Sequence, residues 1–310
     1  MKNQHALEPT VSDYVIRVLN KIARKKPITI VYLVGNIDDP DFQKKIAKLD
    51  KTIEKRHIVT VNPSHIEKIN RLQKKYESTI HIHGQISPQT TAECLAKIDH
   101  NIVLCIDENS PAKIIARIKR MSIVQLKVSF QKNIYKQSLF TTAYNLLKRN
   151  KAYHQIAALN QTHVILQLLP TTTPELLRDL DAKHPVIIDF QTTSTQVRSL
   201  SNPKKDQARR FFILPNANSL ACSHISNFSN IHLHPNCTPE IINYLPKKWT
   251  CIGTKSTPKK CLKKLPINVQ IVAEKSFRTT QANCVPVDCE ILCDDPAIFD
   301  TDIFSIKKSP

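Results

Sequence analysis

Two histidine pairs and a group of thiols near the C-terminus are the side chains best able to do chemistry in this sequence. His81 and His83 stand two apart in HIHGQISP, and His232 and His234 in NIHLHP. On a strand that spacing puts both imidazoles on one face, where they can share a metal ion or move protons. A third ligand is evident for neither pair. Cys284, Cys289 and Cys293 follow no zinc spacing and have no second pair, so they read as thiols without metal. There is no G-x-S-x-G elbow and no Ser-His-Asp order. The chain has three glycines, none close to another, which excludes the Gly-rich phosphate loops of the Rossmann and Walker kinds.

The elements that must position these groups alternate between strand and helix. VSDYVIRVLNKIARKK (11–26) carries apolar residues at helical spacing, and ITIVYLVG (28–35) reads as a buried parallel strand. A helix with Asp39 or Asp41 as its N-cap comes next. Strands over 57–61, 79–84 and 101–106 then alternate with helices over 64–77 and 87–98, which predicts one doubly wound unit. A second series opens at 110–120 and a third at PVIIDF (185–190). TPELLRDLDAK and TPEIINYL read as helices. Residues 284–302 carry six acidic side chains and no basic one, an acidic tail.

Composition bounds the partners. The 310 residues hold 45 Lys and Arg against 26 Asp and Glu, a net charge of +19, which favours anionic partners such as phosphorylated ligands or RNA. Aromatics make up 6% and are not interleaved with the basic runs, so no stacking platform for single strands is indicated. All nine cysteines lie from Cys94 onward in no framework, as expected of reduced thiols. No apolar run approaches membrane-spanning length, and a cytoplasmic protein is expected.

Several short pieces, in order, resemble one family. LEPTV precedes the first helix and strand; HGQISP leads a helix and then NIVLCIDENSP; DFQTTSTQVRSL, NANSLACSHI and WTCIGTKSTPKKCLKKL follow. The order resembles that of the IspH/LytB family, the 4-hydroxy-3-methylbut-2-enyl diphosphate reductases of isoprenoid biosynthesis by the MEP pathway. The resemblance implies an α/β trefoil of three small lobes, each a mostly parallel sheet flanked by helices. Lobes over 1–108, 109–186 and 187–275 and an acidic tail over 276–310 are expected.

In that family one cysteine from each lobe holds an iron–sulfur cluster of the four-iron type. The matching positions here are Glu8, Ser110 and Asp189. Iron in such clusters wants thiolate, so no cofactor is expected and the chain reads as a pseudoenzyme. The alternative is an active reductase with displaced ligands, for example Cys105, Cys222 and Cys251. Positions matching the family's diphosphate contacts are His83, Asn218 and Ser219, with Ser256 and Thr257 in a shortened terminal loop. Residues 247–264 around that loop carry seven lysines and no acid. The expected function is a binding or structural role with an anionic partner, a diphosphate ligand or RNA.

Overall fold

The structure, a computed structural model, describes residues 4–25, 29–99, 101–128, 139–200, 209–293 and 306–308. The chain divides into two compact units, Met1–Val124 and Gln125–Pro310. The first holds strands β1 (Gln4–Leu7), β2 (Thr29–Leu33), β3 (Ile53–Val61), β4 (His81–Ile86) and β5 (Val103–Asp107). Between them run α1 (Asp13–Lys25), α2 (Pro40–Ala47), α3 (Ile66–Tyr76) and α4 (Ala92–Lys97), with α5 (Ala112–Ile115) after β5. β6 (Ile123–Lys127) begins at the unit boundary. The second unit continues with α6 (Leu139–Leu159), β7 (Ile165–Leu168), β8 (Val186–Ile188), α7 (Ser194–Leu200), β9 (Arg210–Ile213), α8 (Ser219–Cys222) and β10 (Asn230–Leu233). It ends with β11 (Thr250–Gly253), α9 (Lys259–Leu262), β12 (Gln270–Ala273), α10 (Thr279–Ala282), β13 (Ile291–Cys293) and β14 (Ile306–Lys308).

The coarse expectation, α/β with parallel sheet flanked by helices, is what the structure has. The order of strands is not the expected one. In the first unit β1 to β5 are parallel neighbours in chain order, and in the second β7 to β14 are. A doubly wound sheet reverses direction at a switch point. Here each strand adds beside the one before it, so the doubly wound reading of the first third is corrected. The expected boundary at 186/187 falls inside β8. Residues 276–293, expected within an acidic tail, form α10 and β13. Asp294, Asp295, Asp300 and Asp302 lie outside the described residues.

A repeat explains the stacking. At six strand pairs, β4–β5, β7–β8 and each step from β9 to β13, paired residues are 20 apart, as His83 with Val103, Leu166 with Val186 and Thr250 with Gln270, while β3–β4 and β8–β9 are offset by 25. Positions are counted from residues 82, 102, 164, 184, 209, 229, 249, 269 and 289 as position 1. Such a unit, a short strand and one helical turn, cannot bury its apolar side alone and does so by stacking on its neighbours. Positions 1, 3 and 5 point into the core: Trp249, Cys251 and Gly253 in one repeat, Val269, Ile271 and Ala273 in the next. The returns are short. TPELLRDLDAK and TPEIINYL, expected as helices, form six-residue 3₁₀ turns at Pro174–Asp179 and Pro239–Tyr244. A proline at the first position starts each turn, and Leu176 and Leu177 in one and Ile242 in the other are buried behind it.

Position 9 ties successive repeats together. In three repeats its hydroxyl donates to a carbonyl of the previous strand, at position 5 when residues 57 and 122 are counted as further position 1 sites: Thr90 to Val61, Ser110 to Ile86 (2.9 Å) and Thr172 to Leu126. Cys237 makes the same bond to Ile213 through sulfur at 3.3 Å. The same oxygen accepts from the backbone N–H at position 6, as Ser87 gives to Thr90 and Asp107 to Ser110. Each such bond in the interior contributes roughly 1 kcal/mol, and losing a rung would leave a buried carbonyl without its partner.

Candidate anion-binding site

Of the three positions expected at a lost cluster, one is a rung of this ladder and a second is spent on its own turn. Ser110, fully buried, spends its hydroxyl on Ile86 and Asp107 as a rung. Asp189, also buried, follows β8 and folds its carboxylate back on the chain. Oδ1 accepts from the N–H groups of Gln191 (2.8 Å) and Thr192 (3.0 Å), and Oδ2 accepts from Gln167 Nε2 at 2.7 Å. Glu8 is exposed after β1. The displaced-ligand set fares no better. Cys222 and Cys251 are buried in the second unit, and burial pushes both thiols up to about 12, so at neutral pH they are not thiolates. Among the described residues no group of three or more His, Cys, Asp or Glu side chains is placed to hold a metal ion.

The histidine pairs have separate neighbours. His83 is buried with Nδ1 3.6 Å from Cys105 Sγ, while His81 is exposed. His232 stacks on Phe212 at 4.6 Å between ring centroids, and burial holds its pKa down at about 4. His234 Nδ1 accepts from Asn236 N–H. Asn218 caps α8, its Oδ1 accepting from Leu220 N–H, and its Nδ2 donates to Thr192 O; Ser219 is the first residue of that helix. The structure thus spreads the expected diphosphate contacts along the chain: His83 in the first unit, Asn218 and Ser219 after β9, Ser256 and Thr257 after β11.

The last pair lines a cavity. A pocket of about 490 Å³ is lined by Lys255, Ser256, Thr257, Lys259, Arg278, Thr280 and Gln281. Thr257 is the position-9 residue of its repeat and takes the N–H of Thr254 on Oγ1 at 2.9 Å. Gln281 closes the floor. Its Nε2 donates to Thr254 O (2.7 Å) and Thr257 O (3.0 Å), and its Oε1 accepts from Arg278 N–H. Both floor residues are buried, whereas Lys255, Ser256, Lys259, Arg278 and Thr280 are exposed around the mouth. Three cations, two exposed hydroxyls and no carboxylate face one cavity, an arrangement that suits an oxyanion. Lys255 and Lys259 stand out in the sequence as part of a lysine run. Arg278 does not, because a partner one repeat away is legible only once the period is known.

No family model, no curated protein and no solved structure matches the chain. Among the described residues no helix is long and apolar enough to cross a membrane.

Proposed function

We propose that this chain is a binding scaffold that does no redox chemistry and engages RNA through the basic turns of its second unit. The observation that carries the reading is the pocket, with Lys255, Lys259 and Arg278 around it and no carboxylate in its lining. It lies beside a lysine run, 247–264, and in a chain of net charge +19. Phosphate groups are held by such cations with release of counterions, so affinity from this source falls steeply with salt. The reductase activity implied by the family resemblance is not part of the proposal. Ser110 and Asp189 have their polar atoms committed to hydrogen bonds within the fold, and Glu8 offers an oxygen where thiolate would be needed.

Fluorescence anisotropy with a short unstructured RNA tests the reading. The full chain should bind, and the combined variant Lys255→Ala, Lys259→Ala, Arg278→Thr should lose at least about tenfold in affinity, since each phosphate contact contributes to binding independently of sequence. Equal affinity of the two proteins would move the RNA site elsewhere, and absence of binding by the native chain would end the RNA reading.

A further inference from the structure

The pocket has a counterpart at a second place in the same chain. Gln196 and Gln281 both stand at position 13 of their repeats. Gln196 Nε2 donates to Leu169 O at 2.7 Å and Thr172 O at 3.0 Å, and its Oε1 accepts from Thr193 N–H at 2.9 Å. Gln281 makes the same three bonds to the carbonyls of Thr254 and Thr257 and the N–H of Arg278. The two turns are therefore one construction, built twice. The cations are not repeated. At the Gln196 turn the residues standing where Lys255, Lys259 and Arg278 stand are Pro170, Pro174 and Thr193, while Thr171 and Thr195 stand in place of Ser256 and Thr280. The fold closes this turn without any of the three charges, so their presence around the pocket needs another reason.

We propose that the pocket is a receptor for a terminal phosphate monoester, the phosphorylated end of an RNA strand. This deepens the RNA reading and rests on it. An internal phosphodiester carries one negative charge and must enter and leave its site as a continuing chain. Gln281 and Thr257 are buried at the base of this pocket, and the three cations around it outnumber that single charge. A terminal phosphate presents three free oxygens and, above its second pKa of about 6, close to two charges. Lys255, Lys259 and Arg278 supply the charge, and the hydroxyls of Ser256 and Thr280 supply neutral donors. Three cations gathered at one pocket match the nearly doubled charge of a terminal phosphate better than the single charge of an internal phosphodiester.

The test uses the full chain and one RNA sequence made with a terminal hydroxyl or a terminal phosphate at either end. At about pH 7.5 the oligonucleotide with the preferred phosphorylated end should bind about tenfold more tightly than its hydroxyl-ended form, and this preference should shrink below about pH 6 as the monoester takes up a proton. Arg278→Thr, which installs the residue of the equivalent Gln196 turn and leaves Gln281 intact, should fold normally by circular dichroism and lose the preference. Equal affinity for all ends, with salt-sensitive RNA binding retained, overturns the terminal-phosphate site and leaves the RNA scaffold standing. A preference that survives in Arg278→Thr and in Lys255→Ala, Lys259→Ala also overturns the site. No binding of any oligonucleotide overturns both.

Discussion

Gly253 shows how single residues adjust to the repeat. It stands at position 5, and a Cβ built there would lie 2.8 Å from the Phe277 ring. Phe277 stands at position 9 of the next repeat, where Thr, Ser or Cys elsewhere sends a bond to the preceding position-5 carbonyl. The rung is replaced by a ring, and the neighbour is small enough to seat it. Gly253→Ala should destabilise the protein by about 1–3 kcal/mol through overpacking. Combined with Phe277→Thr, which removes the clash and restores a rung hydroxyl, the loss should be smaller than the sum of the two single changes. Strict additivity in urea denaturation would contradict the pairing. The thiols offer a second check at this scale. No disulfide joins the nine cysteines, and Cys284 alone is not buried. A thiol reagent should label Cys284 quickly in the native protein and the others only on unfolding, because buried thiols are inaccessible to it. Several thiols reacting together under native conditions would be the contrary result.

At the scale of elements, strand positions are legible in the sequence because β-branched and aromatic runs such as ITIVYLVG, PVIIDF and RRFFILP mark buried strands directly. Asp39 is legible as a cap and accepts from the N–H groups of Asp41 and Phe42. The lengths of the connections are not. Leu176, Leu177 and Leu180 fit a helical face, but a repeat of this length leaves room for one tight turn, and Pro174 starts it as 3₁₀. The stacking order is hidden for a related reason. Strands of three or four residues carry little signal, and position 9 varies among Thr, Ser, Cys, Ala and Phe because each meets the core differently. Thr-Pro recurs at positions 10 and 11 in two repeats, 173–174 and 238–239, but one position earlier at 257–258, so it does not reveal the period. Ser110 and Asp189 look like remnants of a site when taken singly. In the array they are recurring structural positions.

At the scale of the molecule, the positive charge is readable from composition, and its concentration beside one pocket is not, because that pocket is assembled from two repeats. Stability should also carry the mark of buried histidine. His184 is fully buried, donor or acceptor toward Val164, and burial holds its pKa at about 4 against an ordinary 6.5. His232 behaves alike. Since the unfolded chain takes up these protons first, stability is complete above about pH 6.5 and is lost as pH falls toward about 4, by a few kcal/mol at most. Urea midpoints at about pH 7 and about pH 5 should differ in that direction; a midpoint that rises on acidification would contradict the burial of these rings.

The central claim, that the second unit holds RNA phosphates at Lys255, Lys259 and Arg278, is tested most directly by salt. The logarithm of the RNA association constant is measured against the logarithm of salt concentration for the native chain and for the combined Lys255→Ala, Lys259→Ala, Arg278→Thr variant. Removing one cation from a phosphate should flatten the slope by about 0.7–0.9, so the variant should lose roughly two in slope together with its affinity. Two parallel lines of equal height would contradict the claim.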